Sequence, residues 1–112
     1  MIIQRNADFF TRMNTPSVSK TYPNSQSDVL GLQISGDFTN GKFHVEGRNS
    51  KHGDWVSLAG ISLSDFCAVR GGFTQAGMYE IGIVGVRELR ARIESVSGEV
   101  TMFGQIISTE ET

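Results

Sequence analysis

The sequence predicts an all-β fold: an antiparallel β-sandwich of about seven to nine short strands, jelly-roll-like, with an N-terminal arm. Three observations predict it. Tyr79, Ile81 and Ile83 alternate with Glu80 and Gly82, and Leu89, Ala91 and Ile93 alternate with Arg90 and Arg92. Both runs carry the period of two that marks a strand with one buried face. Asn40-Gly41 stands between two further alternating runs, a strong hairpin signal because both residues tolerate positive φ. Polar and glycine-containing turn segments recur along the chain, and no stretch has the spacing of an amphipathic helix.

Met1 to Met13 carries Ile2, Ile3, Phe9 and Phe10 without a clean period, so it reads as a first strand or an arm. Phe9-Phe10 is too apolar to leave in water and must pack on its own domain or on a neighbour. Residues 14–28 are rich in Ser, Thr, Asn and Pro, which predicts a loop or lightly structured edge. Leu30, Leu32, Ile34, Gly36 and Phe38 then occupy every second position. Beyond Asn40-Gly41, the expected return strand Lys42–Arg48 turns Phe43 and Val45 inward and Lys42, His44, Glu46 and Arg48 outward. Asn49 to Asp54 is a second polar turn. A third strand begins at Trp55–Leu58 and is continued by Ile61–Leu63 past a kink at Gly60; Phe66–Val69 reads as a short strand, with Gly71–Gly77 as a loop. The last strand, Glu99–Ile107, is apolar on both faces, with Val100, Met102 and Ile106 on one and Phe103 and Ile107 on the other. Such a strand needs cover on both sides. The expected organisation is an arm or first strand at 1–27, a sandwich at 28–108 and a short acidic tail at 109–112.

At 112 residues the chain fits one domain able to bury its own core without metal or disulfide staples. Hydrophobic residues at 38% and charged residues at 20% exclude wholesale disorder. A net charge of −2 argues against nucleic acid and anionic membrane surfaces as partners. Cys67 is the single cysteine, so no internal disulfide forms, and its apolar neighbours Phe66, Ala68 and Val69 predict a packed thiol. The N-terminus lacks the pattern of a signal peptide, and no apolar run reaches the roughly 20 residues that cross a bilayer. The expected location is therefore the cytoplasm at synthesis.

The ordered phrases Gly36-Asp37-Phe38, Phe43-His44-Val45-Glu46-Gly47-Arg48, Asp54-Trp55-Val56-Ser57-Leu58, Gly77-Met78-Tyr79-Glu80-Ile81, Val84 to Ile93 and Ser97 to Met102 together resemble a β-sandwich module of bacteriophage and prophage proteins. The resemblance covers roughly residues 28–108. It implies a jelly-roll-like virion building block of tail, baseplate or fibre type, and a place in the virion. Its motifs consist of fold-determining residues, so they speak to fold more than to role. The resemblance also implies that Trp55 is a core residue.

The candidate ligand-binding residues are His44, Arg48, His52 and Trp55, grouped near one hairpin, where Trp55 could offer a sugar-stacking platform. The competing reading makes them a solvated strand face beside a packed Trp. Metal-ligand spacing is absent, Gly71-Gly72 lacks the residues of a phosphate loop, and no order of serine, histidine and acid defines a triad. Aspartates at turns are explained by turn chemistry. The expectation is a non-enzymatic structural protein with no cofactor and no metal. It would self-associate and contact other virion proteins through Ile2, Ile3, Phe9, Phe10, Phe103 and Ile107. The alternative is a carbohydrate-binding module that recognises a host-surface glycan.

Overall fold

The computed structural model describes residues 2–24 and 27–109, and among them every regular element is a strand. In chain order these are β1 (Ile2–Met13), β2 (Ser17–Val18), β3 (Tyr22–Pro23), β4 (Val29–Ser35), β5 (Phe38–Arg48) and β6 (Val56–Ser57). They are followed by β7 (Gly60–Ser62), β8 (Ala68–Val69), β9 (Gly77–Gly82), β10 (Glu88–Gly98) and β11 (Val100–Thr109). A six-stranded sheet runs β1-β11-β4-β9-β7-β8, and a five-stranded sheet runs β2-β10-β5-β6, with β3 also paired to β10. All pairings are antiparallel. The sandwich expected from the alternating runs is the fold found.

The core lies between the sheets. Leu30, Leu32 and Ile34 of β4, Tyr79 and Ile81 of β9 and Val100, Met102 and Ile106 of β11 face Phe43 and Val45 of β5 and Leu89, Ala91 and Ile93 of β10. The period of two in each run therefore marks the inward face, as hydrophobic burial demands. Phe73 also enters the core from the loop after β8, where its backbone bridges to Phe43. Nothing in the local pattern of Gly71–Gly77 marks it as buried.

The chain changes sheets where two back-to-back crossovers meet. β4 and β5 do not pair with each other; the chain passes from one sheet to the other at Gly36-Asp37. Its last such passage, back to the six-stranded sheet, is at Gly98-Glu99, between β10 and β11. Gly36 has φ +127° and Gly98 φ +110°. A Cβ on Gly36 would strike the Glu99 carbonyl, and one on Gly98 would strike the Asp37 carbonyl. Both positions thus need glycine twice over, for backbone conformation and for close approach.

This arrangement corrects the reading of Asn40-Gly41. Both residues lie inside β5, paired with Ser97 and Val96 of β10, and do not form a hairpin turn. Gly36 supplies the reversal four residues earlier, so the long β5–β10 pairing carries through the Asn-Gly dipeptide. A tertiary pairing has overridden a local turn preference.

The N-terminal segment is integrated into the six-stranded sheet. β1 pairs with β11 from Ile2↔Thr109 to Met13↔Val100. A register shift between Asp8 and Phe10 lets the consecutive residues Phe9 and Phe10 both face inward, where both are buried. Phe9 meets Tyr22 edge to face, and the Tyr22 hydroxyl donates to the Asp8 carbonyl at 3.0 Å. The polar stretch after β1 therefore closes one side of the sandwich. Asn24 anchors its end: the buried amide donates to the carbonyls of Ser27, Ile83 and Val86 and accepts from the Ser27 N–H.

Candidate functional site

The most structured polar surface lies on the outer face of the five-stranded sheet. Lys42, His44, Glu46 and Arg48 project there from β5, and Glu88, Arg90, Arg92 and Glu94 from β10. The cross-strand register sets Glu88 opposite Arg48 and Arg90 opposite Glu46, both pairs of opposite charge, and Arg92 opposite His44. Arg48 Nε donates to Glu88 at 2.9 Å, while Arg90 Nε and Arg92 Nε donate to the two oxygens of Glu46 at 2.8 and 3.0 Å. Opposite charges placed directly across a sheet attract, and a carboxylate with a guanidinium on each oxygen is saturated.

The outward placement of these residues matches the sequence reading, but their solvation does not. His44 is only 5% exposed and Glu46 6%. The reason is tertiary. Trp55, arriving from the turn before β6, lies with both Arg48 and Arg90 guanidinium carbons 4.3 Å from its ring centroid. The stacked guanidiniums leave their remaining donors for Glu88 and Glu46, so one indole helps desolvate the ladder. Burial pushes the Glu46 carboxyl upward, but the hydrogen bonds from Arg90 and Arg92 outweigh it and hold the group below its ordinary range.

Trp55 is accordingly not a core residue. It is half-buried on the outer face and packs on arginines. Only short strands were available around it: β6 is two residues long and pairs with Glu46 and Gly47 at the sheet edge. Of the four candidate ligand residues, the structure brings His44, Arg48 and Trp55 onto one face. His52 stays in the exposed turn before them.

A second constellation was not legible in the sequence. The His44 ring is held at both nitrogens, with Nδ1 2.8 Å from Ser57 Oγ and Nε2 2.9 Å from Glu94 Oε1. Gly72 packs against the ring, so close that a Cβ there would lie 2.9 Å from its Cε1. The hydrogen bond from His44 is the chief cause holding the Glu94 carboxyl below its ordinary range; Lys42 and Arg92, nearby, add to it. His44, Ser57 and Glu94 come from β5, β6 and β10, neighbours across the sheet but distant in sequence. The strand phase puts all three outward; the register that joins them belongs to the tertiary structure.

The outer face of the six-stranded sheet has a different character. Phe103 is 40% exposed, Met78 55% and Ile61 45%, with Ile107 and Val29 half-buried beside them. An open recess of about 450 Å³ crosses this face, lined by Asn6, Asp8, Gln33, Met78, Phe103 and Gln105 over the bare backbone of Gly31. Of the candidate contact residues, Phe103 and Ile107 lie here. Phe9 and Phe10 are buried in the chain's own core, and the side chains of Ile2 and Ile3 lie outside the described residues, as does the tail 110–112. Cys67 is exposed, not packed. Its apolar neighbours sit on the β7–β8 turn at the sheet's edge, where Phe66 is exposed too. Among the described residues no cluster of His, Cys, Asp and Glu has the geometry to hold a metal ion, and no helix is long and apolar enough to cross a membrane.

Comparison with known proteins bears on the fold. No family model matches the sequence, and no curated protein matches it. Two solved structures are similar. One is the SPBc2 prophage-derived protein YomS, with a TM-score of 0.86 at 21% identity over 96% of each chain. The other is the PBSX exported protein XepA, with a TM-score of 0.83 at 17% identity. That match covers 96% of this chain and 38% of XepA, so this chain spans well under half the length of the larger protein. At these identities the likeness establishes a shared sandwich fold.

Proposed function

We propose that the protein is a phage or prophage structural component, of tail, baseplate or fibre type, that works by self-association. The fold it shares with a prophage-derived protein and with a PBSX protein supports the phage setting. The observation that carries self-association is the outer face of the six-stranded sheet. β11 buries Val100, Met102 and Ile106 on one side and leaves Phe103 exposed and Ile107 half-buried on the other, beside exposed Met78 and Ile61. Apolar area of this kind on a small domain is released from water by docking on a second copy. The role requires no catalytic step.

The test is the mass in solution by light scattering across a wide dilution series, for the full chain and for Phe103→Lys. A discrete oligomer that Phe103→Lys reduces to monomer supports the reading; a full-chain monomer at every concentration overturns it. A truncation at Asp28 is unsuitable, because it would delete β1 and open the core at Phe9 and Phe10. Glycan recognition at the 44–55 hairpin has less to stand on. His44 is buried, and Arg48 and Trp55 are engaged with one another.

A further inference from the structure

The Ser57, His44 and Glu94 constellation lies on the five-stranded sheet, away from the apolar face proposed for self-association. From it we propose that Ser57 is an activated nucleophile, an acyl acceptor for small esters, with His44 as its general base and Glu94 as the positioning residue. Three observations carry this. The His44 ring is buried, so its orientation is fixed by packing against Gly72 and by its two partners. Glu94 as a carboxylate can only accept, so Nε2 carries the proton and donates to it at 2.9 Å. In the neutral ring Nδ1 is then a lone pair 2.8 Å from Ser57 Oγ, placed to accept from its hydroxyl.

A serine hydroxyl held by a neutral imidazole, itself oriented by a carboxylate, is the arrangement that activates a weak nucleophile. The two ring nitrogens exchange their usual duties here, since Nδ1 faces the serine. Either nitrogen serves, provided that the other holds the proton. Ser57 is exposed on an edge strand, so an ester can reach it from solvent. The site therefore suits small activated esters.

The step balances within these groups. Ser57 Oγ attacks the ester carbonyl carbon while its proton passes to His44 Nδ1. The carbonyl–alkoxy bond breaks, and the leaving oxygen takes that proton. Water then attacks the acyl-Ser57, giving a proton to Nδ1 and on to Oγ, and the carboxylic acid departs. Glu94 remains ionised throughout and stabilises the transient imidazolium.

The probe is a fluorophosphonate, which forms an Oγ–P bond as fluoride leaves. Its site and rate are read by intact mass and peptide mapping on the full chain. We expect Ser57 to label on the order of 100-fold faster than the exposed Ser97, in line with general-base assistance. Ser57→Ala should abolish the fast adduct, and a circular dichroism spectrum matching that of the unmodified protein checks that the fold persists. Glu94→Gln should slow labelling roughly tenfold. Nitrogen-15 spectra of the ring should show His44 as the Nε2–H tautomer, a signature that a merely structural histidine pair need not give. Labelling of Ser57 no faster than of Ser97, an unchanged rate in Glu94→Gln, or an Nδ1–H tautomer would each overturn the proposal. The oligomer tests do not bear on it, so the two readings fail separately.

Discussion

The two outer faces of this sandwich are built from the same kind of strand and finish in opposite states. On the five-stranded sheet the charges of β5 and β10 pair across the strands, and Trp55 lies on two of the arginines. That face satisfies itself. On the six-stranded sheet Phe103, Met78 and Ile61 stand in water beside an open recess. That face keeps its apolar side chains exposed. The difference shows that outward position in a strand does not define a surface; what the neighbouring strand brings to it does. A charged face can be closed by its own cross-strand partners, whereas an apolar one can be closed only by something laid over it.

The contrast can be broken most severely at Glu46. Glu46→Ala leaves Arg90 and Arg92 facing each other without their shared carboxylate. It should cost about 3 kcal/mol, the low end for losing one member of a buried ion pair because both arginines are partly exposed. Urea unfolding measures it, and a loss below about 1 kcal/mol would show that the ladder is not cohesive.

Trp55→Ala comes next. Its two cation–π contacts, with Arg48 and Arg90, disappear, for an expected loss of about 2 kcal/mol. In the unmodified protein the Trp55 emission should lie to the blue of free indole in water, and it should move to the red on unfolding. An emission already at the position of free indole would contradict the stacked geometry.

Acidification sharpens the comparison with a smaller effect. The folded-state pKa of Glu46 is lowered, so the native state binds its proton less readily than the unfolded chain does. Its contribution is complete above the unfolded value of about 4.3 and is lost as pH falls through the lower folded value. Melting temperature against pH should fall over that acidic range, and Glu46→Gln should flatten the fall. An identical slope in Glu46→Gln would remove the ladder as its cause.

The smallest effect on stability belongs to the other face. Phe103→Lys should change the unfolding free energy by no more than about 0.5 kcal/mol, since the ring is not part of the core. It should nonetheless disrupt association. A large loss of stability in the monomer would mean that Phe103 holds the subunit and not its neighbour.

The sequence carried the strand phase well. Which residues of β4, β5, β9, β10 and β11 face inward follows from alternation, because hydrophobic burial acts on each side chain wherever its strand is docked. It carried the pairing poorly. Asn40-Gly41 advertises a turn but lies within β5, because eight further cross-strand pairs outweigh one dipeptide. Phe73 sits in a glycine-rich loop yet is buried, since a backbone bridge to Phe43 carries it inward. Trp55 and Cys67 were expected inside and are not, for the strands near them are two residues long and at sheet edges. The candidate group at 44–55 was half visible: proximity in sequence gathered His44, Arg48 and Trp55, but nothing local could reveal Glu94.

The sequence by itself therefore determined an all-β chain, the inward face of each long strand and the doubly apolar nature of β11. These depend on side-chain periodicity, which is written locally. Only the tertiary structure decided that β1 belongs to the sheet, that Gly36 and Gly98 carry the chain between layers, and that Glu46 and His44 are buried among partners. Register, sheet order and desolvation arise from contacts between residues tens of positions apart, and those contacts exist only once the two sheets have closed on each other.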